Sequence, residues 1–420
     1  MKVLIKQAKI LDPGSVHDQT LRDILIVDGK IQEINTTVSA EYDQLIEADN
    51  LHVSTGFTDV FSNFADPGFE YKETLESGAA AAAGGGFTRV MVIPNTKPAI
   101  DVKAQVEYIV RKSQELPVRI IPIGAVTKNN EGKELAEMYD MQQSGAVAFS
   151  DGTRPIQTSG MMLKALQYVK KFSGVVIQVP DDESMAPHGL VNEGITSTRM
   201  GLPGKPVISE ELMVHRDIAL AGYTNSKLHL TGVSSPRAID AIHEAKQKGI
   251  NVTCSVTPYH LFFCEEDLHS YDTYLKVNPP LRSRADMMAL RQAVLDGKVD
   301  AIASHHFPHE FDSKILEFEY ARNGMISLQT AFSAVRTAIP EISEEQLVAL
   351  FATNPAKIFG LETGSIEKGS DANLTLFVPD AAFQFEQSIN RSKSKNSPFT
   401  GKNLKGKIIG TLYNKSIRLN

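Results

Sequence analysis

Eight short apolar runs, separated by stretches of helical periodicity, occupy the middle of this chain. They fall at 55–60, 89–93, 119–123, 146–150, 174–178, 227–231, 251–256 and 301–304. Between most of them lie amphipathic segments such as 103–116, 161–172, 210–221 and 236–248. Strands that alternate with helices build a parallel sheet covered by those helices. A set of eight predicts a closed (β/α)8 barrel of the TIM type, with functional loops at the C-terminal ends of the strands. The alternative is an open doubly wound sheet. That fold wants a glycine-rich phosphate loop after an early strand, whereas Gly84-Gly85-Gly86-Phe87 precedes its strand.

Both flanks change texture. In residues 1–50, Val3-Leu4-Ile5 and Ile10-Leu11 precede the turn Asp12-Pro13-Gly14. The run 23–27 leads into Asp28-Gly29, and Lys30-Ile31-Gln32-Glu33-Ile34 alternates polar and apolar residues. Strand texture returns at 369–377, 406–409 and 416–419. The simplest architecture joins the two ends into a small composite β-sandwich domain, 1–51 plus 361–420, beside a barrel at 52–360. A chain of 420 residues is long enough for both. The alanine run 79–83 followed by three glycines reads as a closely packed helix and its stop.

Composition excludes several classes. The net charge of -7 offers no basic footprint for nucleic acid. The basic stretch 391–405 reads as a solvated loop of the β domain. Two cysteines, Cys254 and Cys264, cannot form a disulfide framework and fit a reducing cytoplasm. No window approaches the roughly 18 apolar residues of a membrane span, and the first residues alternate like a strand rather than a signal peptide.

The loops at the strand ends carry the functional information. GFTDVFSNFADPG (56–68) has the form of a strand delivering an active-site loop. VIPNTKP (92–98), AVAFSDGTRP (146–155), LVNEG (190–194), KLHLTGVSS (227–235) and CSVTPYHLFF (254–263) follow. After them come KVNPPLR (276–282), DAIASHHFPH (300–309), TNPAKIFGL (353–361) and SKSKNSPFTG (392–401). In this order the segments resemble the amidohydrolase superfamily, and within it the dihydroorotases, over nearly the whole chain. The resemblance implies reversible closure of N-carbamoyl-aspartate to dihydroorotate. It also implies one or two divalent metals, usually zinc, that acidify a water and polarise a carbonyl. A strand-8 aspartate would be the general base, and an arginine and two asparagines would hold the substrate.

Residue by residue, the chain departs from that pattern. The His-X-His pair after strand 1 falls at Phe61 and Asn63, and the substrate-clamping arginine at Ala65. The strand-5 histidine falls at Pro180, the strand-6 histidine at Gly232, and the strand-8 aspartate at His305. Asp151 alone stands at a ligand position, with Gly152 beside it. A catalytic zinc wants three protein ligands and an open position; Phe61, Gly232 and Pro180 offer no donor. Loss of the base alone removes roughly 10²–10⁴-fold in rate. No metal and no catalytic residue are therefore expected, with zinc implied only if the enzyme reading holds. A rebuilt site would have to use His305 and Asp151, facing each other across the barrel mouth. His229 and His306 match ordinary family positions.

Asn95, Asn278 and His309 match substrate-holding positions; the asparagines serve equally well as loop-shaping residues. Tyr259 and His260 read as core packing, and Asp59 sits too early on its strand to face the cleft. Metal-deficient relatives of this kind imply a structural partner of aspartate carbamoyltransferase, and relatives imply a homodimer. The alternatives are an active cyclic amidohydrolase with an atypical site, and a barrel that binds a metabolite without turnover.

Overall fold

A computed structural model of the chain describes residues 1–362 and 364–420. Parallel strands Phe57–Ser62, Phe87–Val92 and Arg119–Pro122 form one arc. Val175–Gln178, Lys227–Thr231, Val252–Val256 and Ala301–Ile302 form a second. Two narrow seams close the arcs into a ring. Phe149 bridges Gly124 and Val176, and Ser62 bridges His306. The result is an eight-staved barrel.

The predicted strand at 146–150 pairs only at Phe149. The chain enters it from the helix Met138–Gln143, whose Met141 carbonyl takes the Ala146 N–H, and leaves it as the Asp151 carboxylate turns toward Val126 and Thr127. The eighth strand stops at Ile302 rather than Ser304, because the Ser304 N–H donates to the buried Asp59 carboxylate at 2.6 Å. Thr55, read as the start of the first barrel strand, pairs instead with Leu374 in the terminal sheet. Gly56 makes the crossing, where a Cβ would lie 2.0 Å from Thr88 Oγ1.

Helices pack outside the ring where the periodicity placed them. Lys103–Lys112 ends before Pro117, which cannot continue a helix. Ser159–Lys170, Ile208–Thr224 and Pro236–Gln247 lie within a few residues of expectation. The alanine-rich helix Leu75–Gly84 buries Ala79, Ala81, Ala82 and Ala83 completely. Below the barrel, Phe57, Phe332, Phe351 and Phe377 interlock at centroid distances of 4.9–6.0 Å and join barrel to sheet. Each such fully buried side chain contributes about 1.5–3 kcal/mol.

The terminal sheet runs Ser416–Leu419, Asn403–Tyr413, Leu374–Gln384, His52–Thr55, Lys2–Leu11, Leu21–Val27, Lys30–Asn35, so both ends of the chain share it. Lys2–Leu11 is one strand with a bulge between Ile5 and Ala8, not two short ones. Among the described residues no helix is long and apolar enough to cross a membrane.

The segment 391–402 differs from expectation. It is packed against the barrel rather than solvated: Asn396 is 2% exposed and Phe399 is fully buried. The cause is Glu73, whose buried carboxylate takes the Ser392 hydroxyl and the Lys393 N–H. Asn396 Nδ2 then donates to Phe307 O and Gly324 O at the barrel mouth.

Candidate functional site

A cavity of about 580 Å³ opens at the C-terminal ends of the strands, and Phe61, Asn63, Ala65, Asn95, Asn278, His305 and His309 all line it. Their chemistry follows from what each one touches.

Phe61 stacks on His305, with centroids 4.5 Å apart and planes at 30°. Gly232 adopts φ +68°, and a Cβ there would lie 2.6 Å from His305 Cε1. The His305 ring thus occupies the space a side chain at position 232 would need. Its Nε2 accepts from the Thr231 hydroxyl at 2.9 Å; Thr231 accepts from Ser255 at 2.8 Å, and Ser255 from His229 Nε2 at 3.0 Å. Burial lowers the pKa of both His229 and His305 to about 3, so both imidazoles are neutral. The loop after the sixth strand is held from outside the cavity. There Glu210 accepts the Ser234 and Ser235 N–H groups and pairs with Arg282 at 3.0 Å.

Asp151 does not face His305. One carboxylate oxygen accepts the Val126 and Thr127 N–H groups at 3.0 and 2.9 Å, and the other takes the Thr127 hydroxyl. Burial nevertheless raises its pKa to about 6 against those donors. A group whose pKa is raised on folding stabilises most below its unfolded value and loses that contribution as pH rises through the folded one. Asp151→Ala should therefore cost about 2–4 kcal/mol by orphaning buried donors. Asp151→Asn should stay within about 1 kcal/mol and gain on the wild type between pH 4 and 7. Urea denaturation at several pH values measures both; an asparagine variant as unstable as the alanine one would contradict the assignment.

Both asparagines are engaged within the fold. Asn95 donates to Asp151 O and accepts from the Thr153 N–H, each at 3.0 Å. Its Oδ1 fills the space beside Gly152, where a Cβ would come within 1.7 Å. Asn278 accepts from Lys205 Nζ at 2.8 Å and donates to Asp181 Oδ2 at 3.1 Å. Lys205 also forms a buried ion pair with Asp181. The sequence offered no motif for that pair. After the fifth strand it is Val179, not Pro180, that lines the cavity, and neither residue is a donor.

His306 and His260 are held by structural contacts. His306 Nδ1 accepts from the Ser327 and Leu328 N–H groups, which leaves its Nε2–H directed at Glu73 at 3.4 Å. Burial pushes the Glu73 pKa up, but the His306, Ser392 and Ser77 donors outweigh it and hold the carboxyl below its ordinary range. His260 bridges Thr257 and the carbonyls of Pro279 and Pro280, as a packing role requires. His309 donates from Nε2 to Asn323 O at 2.8 Å, while its buried Nδ1 has no partner among the described residues.

A family model described as Dihydro-orotase-like matches residues 52–237. A dihydroorotase from Syntrophus aciditrophicus is 39% identical over 417 residues, 98% of each chain. One from Pelotomaculum thermopropionicum is 40% identical over 411 residues, 97% of this chain and 96% of its own. The chain belongs to the dihydroorotase family. An L-hydantoinase (dihydropyrimidinase) from Arthrobacter aurescens superposes with a TM-score of 0.86 at 24% identity, over 99% of this chain and 95% of its own. The fold is the amidohydrolase barrel with its β-sandwich domain: the strand pattern implied the barrel and its β domain, and the motif resemblance implied the superfamily.

A dihydroorotase-type zinc needs three converging donors and an open position. Here the two sites after the first strand are an aromatic ring and a half-buried amide whose oxygen accepts the Ala65 N–H at 2.9 Å. The sixth-strand position has no side chain, and Asp151 has committed its oxygens to two loop amides and the Thr127 hydroxyl. Among the described residues, no group of three or more His, Cys, Asp or Glu side chains comes together. The residues present do not fit the metal.

Proposed function

We propose that this dihydroorotase-family chain serves pyrimidine biosynthesis without catalysing a step of it. In this reading it has given up both metal and hydrolysis and acts as a structural partner of aspartate carbamoyltransferase. The observation that carries the reading is the Phe61–His305 stack, packed where Gly232 leaves room. It fills the position of a reacting centre with apolar and neutral groups. The barrel frame is meanwhile retained by buried contacts such as Asp59 with Ser304 and Glu210 with Arg282. A frame retained around a site that has lost its metal donors suits a role in assembly.

Metal analysis of the purified protein, with carbamoyl-aspartate and dihydroorotate assays in added zinc, tests the loss of chemistry. The expected result is substoichiometric zinc and turnover at least about 10⁴-fold below that of an ordinary enzyme, from the combined loss of metal and base. Stoichiometric zinc with ordinary turnover would establish the active-enzyme alternative. Mixing with aspartate carbamoyltransferase and measuring mass by light scattering tests the partnership, and the chain alone reports whether it is a dimer. Separate elution at micromolar concentration would refute the partnership.

A further inference from the structure

Four cations, Lys72, Arg154, Lys276 and Arg322, line the barrel-mouth cavity against one carboxylate, Glu319. The chain as a whole carries a net charge of -7, so this wall runs against the overall balance. Two of the four already have partners. Lys276 donates to the carbonyls of Glu319 and Ala321 at 2.8 and 2.7 Å, and Lys72 lies 4.0 Å from Glu310. Among the described residues, Arg154 and Arg322 pair with no carboxylate. The positive charges also crowd one another. Burial lowers the pKa of Lys72 and of Lys276; Glu310 and Glu319 offset part of that, and Arg322 lowers both further. His309, within reach of the charges of Lys72, Lys314 and Arg322, keeps a buried ring nitrogen that has no partner among the described residues.

Like charges gathered in a concave site are unfavourable until a counter-charge arrives, and such a site focuses field on an anion. Guanidinium groups suit planar carboxylate and phosphate oxygens, which they can grip with two hydrogen bonds. The volume falls within the range of small-molecule sites. The asparagines that sequence placed in this role are spent on Asp151, Thr153, Lys205 and Asp181.

We propose that the barrel mouth binds a small carboxylate- or phosphate-bearing molecule, held by Arg154, Arg322 and Lys72 without a metal and without turnover. Its metal independence rests on the reading given above.

Titration calorimetry in EDTA at low ionic strength tests it, with succinate and inorganic phosphate as separate probes and sodium chloride at matched ionic strength as control. The expected result is saturable one-to-one binding of at least one probe; which one binds identifies the anionic group. Arg154→Ala and Arg322→Ala, both at exposed positions, should each weaken binding about tenfold or more through loss of a charge-assisted contact. Lys103→Ala, on an outer helix, should leave it unchanged. Absence of binding by either probe up to about 10 mM, or binding that survives both arginine replacements, overturns the proposal. If zinc remains absent in that case, the loss of the metal centre still stands. Binding that appears only after zinc is added overturns both.

Discussion

Replacing Glu73 with alanine is expected to lower the stability of the fold by about 3–5 kcal/mol and to release the segment 391–402 from the barrel. The carboxylate is fully buried and accepts from the Ser77 and Ser392 hydroxyls, the Lys393 N–H and the His306 ring. Truncation leaves these donors buried without an acceptor, at about 1–3 kcal/mol for each one that finds no water. Glu73→Gln keeps one acceptor oxygen and should lose less. The pH dependence has a definite sign. The Glu73 pKa is depressed below 4.5, so its contribution is present above that value and fades as pH falls through the folded one. The gap between wild type and Glu73→Ala should narrow in acid. Chemical denaturation measures the loss. Limited trypsinolysis reads the release, through cleavage after the exposed Lys393 and Lys395. An unchanged denaturation midpoint, with these sites still protected, would show that the segment is held by something else.

That segment also marks the limit of what sequence displays. Its lysines alternate with Ser392, Ser394 and Asn396, and by composition it is a solvated loop. Its partners, Glu73 and Phe307, lie 319 and 89 residues away, so no local pattern announces them. The barrel was legible because burial of a parallel sheet on both faces imposes apolar runs whatever the loops do. The run at 146–150 shares that character, yet its pairing is decided by the hold of Val126 and Thr127 on Asp151, across 25 and 24 residues. At the site, missing ligands could be read as missing, because motif positions are occupied by residues with no donor. What replaced them could not. Lys205 sits among ordinary loop residues, and its partners Asp181 and Asn278 are 24 and 73 residues distant. The shift from Pro180 to Val179 is a single residue of strand register, which only the orientation of the chain in the barrel decides.

Gly232 and His305 read as two separate losses in sequence and form one feature in space, which leads to the second large effect. Gly232→His, in an otherwise unaltered chain, is expected to cost of order 3–5 kcal/mol and to recover no zinc. A Cβ at 232 would sit 2.6 Å from the His305 ring, on a backbone at φ +68° that a side chain adopts only with strain. His305→Asp removes the ring and should relieve the collision. The double variant Gly232→His/His305→Asp should then be more stable than the sum of the single changes by at least about 1–2 kcal/mol, the coupling expected of residues in contact. Denaturation of the four proteins measures that coupling, and metal analysis runs beside it. Additivity within about 0.5 kcal/mol would mean that the positions are independent and that the site was not repacked around the imidazole. Even the double variant should hold zinc poorly, because Phe61 still covers the centre and Asn63 remains a weak donor. With coupling of this size, restoring one ligand makes the protein worse before a second can make it better. The repacked site is then a barrier to regaining the metal, in addition to the ligands lost.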